Sequence, residues 1–330
     1  MKKEFVGIDV SKNTLDVSLY HLKAHKVFAN SQSGFNALLD WVGKQSGSSE
    51  ASPVFCFEHT GIYSLGLCAF LQERTIAYHL VPGLQIKRSL GIRRGKNDKI
   101  DAEGIARYAY LHREELKPYN LPAKSILKLR TLLTYRSRLV RQAAAHKASL
   151  TEMKAVLGAE GDPLIQESSQ RIIMVLKEQL RTIEKQLKTL IEEDESLEQA
   201  HRNIRSIKGV GLILASTLIA RTNNFEAFNT WRQFACYAGI APFEHRSGIS
   251  YKGKTRVSAL GNRQIKCLLS QAAATAILHN AEMKTYYDRR VGEGKSKMAA
   301  LNIIRNKLVS RIFAVARRKS PYVDIYKFAA

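Results

Sequence analysis

The stretch FVGIDVSKNTLDVSLYHL, residues 5–22, sets the reading of the fold. Its two segments, FVGIDVS and LDVSLYHL, alternate or run apolar, which predicts two strands. KVFANS, directly after them, predicts a third. SGFNALLDWVGKQ switches to helical spacing, with Phe35, Leu38, Leu39 and Val42 on one face and Ser31 or Ser33 as its cap. Beyond the GSSEASP loop, VFCFE is a short apolar strand that ends on Glu58. YSLGLCAFLQER predicts a helix, IAYHLV a strand, and Asp98–His112 another helix. The order is β-β-β-α-β-α-β-α.

Three consecutive strands followed by alternating helices and strands is the order of the ribonuclease H-like fold, although a fold alone does not give a function. In such a sheet the first and fourth strands are neighbours, so Asp9 and Glu58 stand side by side. A carboxylate inside an apolar strand is expensive unless positive charge meets it. Asp98 and Asp101, at i and i+3, share one face of the helix that packs on that sheet. Four such charges repel unless protons or divalent cations neutralise them. Hard cations such as Mg²⁺ or Mn²⁺ take oxygen ligands. Two of them roughly 4 Å apart activate a nucleophile and stabilise the leaving oxygen at a phosphodiester. Singly, each acid reads as a cap or an ion pair, and Asp98 in particular as the N-cap of its helix. Together the four read as a metal site. The run Arg93, Arg94 and Lys96, just before the last pair, suits a nucleic-acid backbone.

The pattern changes near Lys124. SILKLRTLLTYRSRLVRQAAAHKASLTEMKAVL is built of helix formers. A second helix after GAEGDP carries Ile173, Leu176, Leu180, Ile183, Leu187, Leu190, Asp194 and Leu197 at alternating gaps of three and four, a heptad seam. The seam serves either a dimerising coiled coil or a hairpin of the two helices within one chain. IRSIKGVGLILASTLIA places Gly209 and Gly211 in a turn between helical segments. It reads either as a helix-hairpin-helix able to hold a phosphate or as a plain turn. Further on, a polar, glycine-rich loop carries His245, Arg246, Lys252, Lys254, Arg256 and Arg263. A basic amphipathic helix closes the chain.

Lys and Arg number 52 against 29 Asp and Glu, a formal charge of +23 over 330 residues, which points to a polyanionic partner, nucleic acid before membrane. No apolar run approaches the roughly 20 residues of a spanning helix. The opening MKKEFVGIDVSK turns polar too soon for a signal peptide. Cys56, Cys68, Cys236 and Cys267 lack CxxC spacing, so a zinc finger is not expected. They read as reduced, buried thiols of a cytoplasmic protein.

GID.SK with Asp9, FEHTG.Y with Glu58 and KNDKIDA with Asp98 and Asp101 resemble the DEDD transposases of the IS-one-ten insertion-sequence family, relatives of Piv-type DNA invertases. The loop YAGIAPFEHRSGISYKGKTRVSALGN resembles that family's second signature. The resemblance covers essentially the whole chain. It implies an α/β, RuvC-like catalytic domain over residues 1–118, a helical coiled-coil arm over 119–200, and a mainly helical transposase domain over 201–330. It implies a metal-binding tetrad at Asp9, Glu58, Asp98 and Asp101 with Mg²⁺ or Mn²⁺, and a nucleophilic serine at Ser247. It also implies donor and target double-stranded DNA, a structured bridge RNA as guide, and dimers pairing into tetramers whose active sites draw residues from different subunits. A bacterial, nucleoid-associated location follows. From the residues alone, Ser247 is one of three loop serines, with Ser250 and Ser258, and a turn role beside a glycine is as natural. Arg246 or Lys252 would stabilise phosphate charge there. Two other functions fit the same residues: a RuvC-like nuclease of branched DNA using water in place of Ser247, and a non-catalytic nucleic-acid-binding protein with structural acids.

Overall fold

The computed structural model describes residues 3–47, 53–59, 61–91, 97–158, 162–247 and 251–324. They form two compact units, residues 1–121 and 122–330.

The first unit is a mixed sheet with helices on both faces. β1 (Phe5–Val10), β2 (Thr14–Leu19) and β3 (His25–Ala29) run as an antiparallel meander. β4 (Val54–Glu58) and β5 (Tyr78–Val81) add in parallel on the other side of β1, in the order β3-β2-β1-β4-β5. The first and fourth strands are therefore neighbours, with Ile8 opposite Phe57. α1 (Gln32–Ser46) is capped by Ser31, whose hydroxyl accepts from the Gly34 N–H, and buries Phe35, Leu38 and Val42. α2 (Leu65–Glu73), α3 (Gly83–Ser89) and α4 (Asp98–Leu111) complete the unit; α3 has no counterpart in the sequence reading.

Strand alternation sorts the residues into two layers. Val6, Ile8, Val10, Phe55 and Phe57 join one core with Leu38, Leu67 and Leu71 from α1 and α2. Phe5, Cys56 and Val81 face the other way and pack against Ile105, Tyr108 and Ala109 of α4. Gly7 lies on this second face, and α4 crosses it closely: a Cβ at Gly7 would stand 2.2 Å from the Ala106 backbone nitrogen and 2.4 Å from the Ala102 carbonyl oxygen. Glycine in β1 and alanines in α4 thus let the two backbones touch.

The second unit is almost entirely helical. α5 (Lys124–Leu157) and α6 (Pro163–Glu192) form an antiparallel hairpin. Arg136 pairs with Glu184 at 2.7 Å, and Ser125 donates to Asp194 at 2.8 Å, so partners near the start of one helix meet the end of the other. The heptad seam is spent inside this chain, with Ile173, Ile183 and Leu187 buried and Leu176, Leu180 and Leu190 partly so. α7 (Glu195–Arg205) and α8 (Leu212–Thr222) follow on either side of the Gly209–Gly211 turn, then α9 (Trp231–Tyr237). The segment read as a polar loop is instead a hairpin of β6 (Pro242–Ser247) and β7 (Tyr251–Val257). Its root is closed by backbone contact between Gly239, at φ 67°, and Gly261: a Cβ on Gly261 would lie 2.1 Å from the Gly239 Cα. α10 (Arg263–His279), α11 (Ala281–Gly292) and α12 (Lys297–Arg318) end the chain, and one core joins α5 to α12. Among the described residues no helix is long and apolar enough to cross a membrane.

Candidate active site

Asp9 shares the α4 face of β1 with Gly7, two residues along the strand. Glu58 shares the α4 face of β4 with Cys56 by the same alternation. Because α4 touches β1 at Gly7, its first turn carries Asp98 and Asp101 toward Asp9. The electrostatics record the convergence. Asp9 is pushed from 3.8 up to about 6, first by burial and then by the charges of Asp101, Asp98, Glu58 and Asp16. Asn97, not Asp98, caps α4: its side chain accepts from the Ile100 N–H at 2.7 Å. Asp98 is thereby left free of the capping role. The positive end of the helix faces both aspartates, which lowers the cost of keeping them ionised. Glu58 closes β4 against Gly83, where a Cβ would fall 1.9 Å from its Oε1.

Asp16 was not among the expected residues. It stands directly opposite Asp9 across the β1–β2 ladder, is 8% exposed, and pairs with His25 Nε2 at 3.1 Å. Only the antiparallel register makes it a neighbour of Asp9, and LDVS alone carries no signal for that.

In the second unit, Ser247 is the last residue of β6 and pairs with Tyr251 in the ladder. Arg246 and Lys252 stand opposite one another by the same register, and Lys254 lies farther along β7. Arg256 and Arg263 are exposed. Ser258 accepts from the Leu260 N–H, a turn role. Ser250, and the run Arg93, Arg94 and Lys96, lie outside the described residues. Of the four cysteines, Cys56 and Cys68 are buried as expected, whereas Cys236 and Cys267 are exposed.

Residues 6–155 match a DEDD transposase model of IS110 type, described as a transposase, and residues 201–288 match the transposase IS116/IS110/IS902 family. The chain belongs to the IS110 family of transposases. It is 25% identical to the pilin gene-inverting protein of Moraxella bovis, over 98% of each chain. It is 31% identical to an uncharacterized protein of insertion element IS110 from Streptomyces coelicolor, over 44% of this chain and 35% of that one. The transposase for insertion sequence element IS1111A of Coxiella burnetii is 24% identical, over 70% of this chain and 69% of its own.

In this IS110-family chain the first matched segment holds all the carboxylates around Asp9, and the second holds the whole β6–β7 hairpin. A divalent cation suits the carboxylate group by donor chemistry, since every donor is a hard oxygen and Asp9 carries a proton affinity raised first by burial and then by the neighbouring carboxylates. The fit rests on that chemistry and not on a ready-made cage: among the described residues no three His, Cys, Asp or Glu side chains are gathered closely enough to hold one ion.

Proposed function

We propose that the chain is a DNA recombinase of an insertion sequence, guided by a structured bridge RNA, that cuts and rejoins DNA through a phosphoserine at Ser247. The observation that carries this reading is the Asp9 carboxylate, held at raised proton affinity among Asp101, Asp98, Glu58 and Asp16. Carboxylates that raise one another's proton affinity are costly to keep ionised, and functional sites are where such an arrangement is concentrated. The sheet order, with β1 beside β4, supports a ribonuclease H-like, RuvC-like assignment for residues 1–118. The α5–α6 hairpin supports a coiled-coil arm over 119–200, leaving 201–330 as the transposase domain. Exposed apolar residues Val156, Leu164, Met174 and Val175 on the far part of the arm support subunit contacts in a dimer that pairs into a tetramer. The name of the Moraxella relative supports DNA rearrangement as the outcome.

Asp9, Glu58, Asp98 and Asp101 are the residues that would hold Mg²⁺ or Mn²⁺. Such an ion, when bound, lowers the cost of deprotonating a hydroxyl and neutralises charge on the reacting phosphate. The chain supplies the rest. The Ser247 hydroxyl gives up its proton and its oxygen bonds to phosphorus, while the bond to the leaving sugar oxygen breaks and that oxygen takes a proton. The phosphodiester energy stays in the serine bond, so a second sugar hydroxyl reseals the strand by the reverse step. Arg246 and Lys252, paired across the hairpin, balance phosphate charge; Lys254, Arg256, Arg263 and the Arg93–Lys96 run hold the backbones of double-stranded donor and target DNA and of the RNA.

Denaturing a running reaction tests this directly. The expected product is a protein–DNA adduct that maps to Ser247. It is lost in Ser247→Ala, kept in Ser250→Ala, and absent when RNA is stripped from the protein. Mixed oligomers of Ser247→Ala and Asp9→Ala subunits regain activity if sites are shared. Normal strand cleavage by Ser247→Ala with no adduct in the wild type gives the chain to water-based nuclease chemistry instead.

A further inference from the structure

Arg305 is 4% exposed, the sole Lys or Arg buried to that degree among the described residues. It has no ion pair with any described carboxylate. Its Nη1 donates to Asn302 Oδ1 at 3.2 Å, and its Nε is buried without a partner. Burial lowers its proton affinity, and the Cys267 thiol on α10 is the titratable neighbour acting on it. On the neighbouring turns Arg311 pairs with Glu282, and Arg290 with Glu293. A guanidinium taken out of water with no counter-charge is among the more expensive things a fold can contain. Five N–H donors in a fixed fork, mostly unspent, are what an anion requires.

Its position says which anion. Asn302, Arg305 and Asn306 lie on one face of α12, at i, i+3 and i+4. Asn302 and Asn306 both donate their side-chain N–H to the Ile240 carbonyl oxygen, at 2.9 and 3.0 Å. Ile240 lies two residues before β6, at the root closed by Gly239 and Gly261. The same face of α12 therefore anchors the hairpin and carries the uncompensated charge. We propose that Arg305 is a phosphate-binding residue, receiving one backbone phosphate of the nucleic-acid substrate at the root of the β6–β7 hairpin. The proposal rests on the reading of the chain as a nucleic-acid recombinase, not on which serine attacks. Asn302 holds one side of the fork, so the guanidinium is oriented before the phosphate arrives. The dehydrated surroundings strengthen the contact relative to one at the surface.

An anion-binding role and a structural role make opposite predictions for Arg305→Met, which keeps an unbranched chain and removes the charge. The full-length protein is unfolded in urea without nucleic acid, and its binding to a short, fluorescein-labelled random-sequence duplex is measured against salt. Under the proposal Arg305→Met unfolds at the same or higher urea concentration than wild type. Its log-affinity against log-salt slope is shallower by about 0.9, the value of one phosphate contact on duplex DNA. Arg305→Lys, which keeps the charge, retains the wild-type slope. A slope unchanged in Arg305→Met, or a chain so destabilised that it no longer folds, overturns the proposal while leaving the recombinase reading in place. Wild-type protein that shows no salt-dependent binding fells that reading, and the proposal with it.

Discussion

Replacing Asp9 by Asn is expected to destroy recombination and, without divalent ions, to stabilise the protein. Asp9 moves from 3.8 to about 6 on folding. A carboxyl whose folded value is raised favours the native state while protonated, and loses that advantage as pH rises from about 4 through 6. Above pH 7 the fold holds an ionised carboxylate at a cost of at most about 3 kcal/mol, from a shift of roughly two units at 1.36 kcal/mol each. Asp9 keeps part of its solvent contact, and screening brings the figure to about 1–2 kcal/mol. Asn has the same shape and no charge, and among the described residues no donor to the Asp9 carboxylate loses its acceptor. At pH 8 in EDTA, Asp9→Asn should therefore be about 1–2 kcal/mol more stable than wild type, with the difference vanishing near pH 4. Saturating Mg²⁺ should reverse the ranking, because an ion bound only by the native wild type adds about 2.7 kcal/mol at a hundred times its dissociation constant. Urea unfolding followed by tryptophan fluorescence reads this out. The chain has two tryptophans, and in a Trp231→Phe background the signal comes from Trp41, which packs on Phe28 in the α/β unit. Asp9→Asn clearly less stable than wild type in EDTA at pH 8, or equal stabilisation of both proteins by Mg²⁺, would refute the reasoning and make the acids structural.

Two further outcomes follow from packing and burial. Gly7→Ala puts a methyl carbon against the α4 backbone at 2.2 Å from the Ala106 nitrogen, so α4 must move. The expected cost is about 1–3 kcal/mol by chemical denaturation, with recombination lost as Asp98 and Asp101 retreat from Asp9; wild-type stability would show that α4 is not seated on Gly7. His201, 8% exposed on α7, is pulled from 6.5 down to about 4 by burial and then by Arg205. It is neutral in the fold, so its contribution is complete above pH 6.5 and is lost as pH falls toward 4. About 1–2 kcal/mol of acid sensitivity in that window, after screening, should be absent from His201→Leu; parallel stability–pH curves for the two proteins would contradict this.

The alternating or apolar runs FVGIDVS, LDVSLYHL, KVFANS, VFCFE and IAYHLV, with the spacing in SGFNALLDWVGKQ, were enough to set the first five strands and the first helix, because period and capping are local properties of the chain. The same locality marked Asp9, Glu58, Asp98 and Asp101 as carboxylates in unusual company. It offered Asp98 as the cap of α4, where the fold uses Asn97, whose side chain accepts from the Ile100 N–H. The β6–β7 hairpin escaped because glycines and basic residues break the period that marks strands; its closure depends on Gly239 meeting Gly261, more than twenty positions apart. Asp16 became a neighbour of Asp9 through strand register, and Arg305 became a buried, unpaired cation through the packing of α12. Burial and counter-charge are sums over atoms brought together from distant parts of the chain. A one-dimensional pattern therefore names the groups able to do chemistry, and only the folded arrangement decides which of them are left short of a partner.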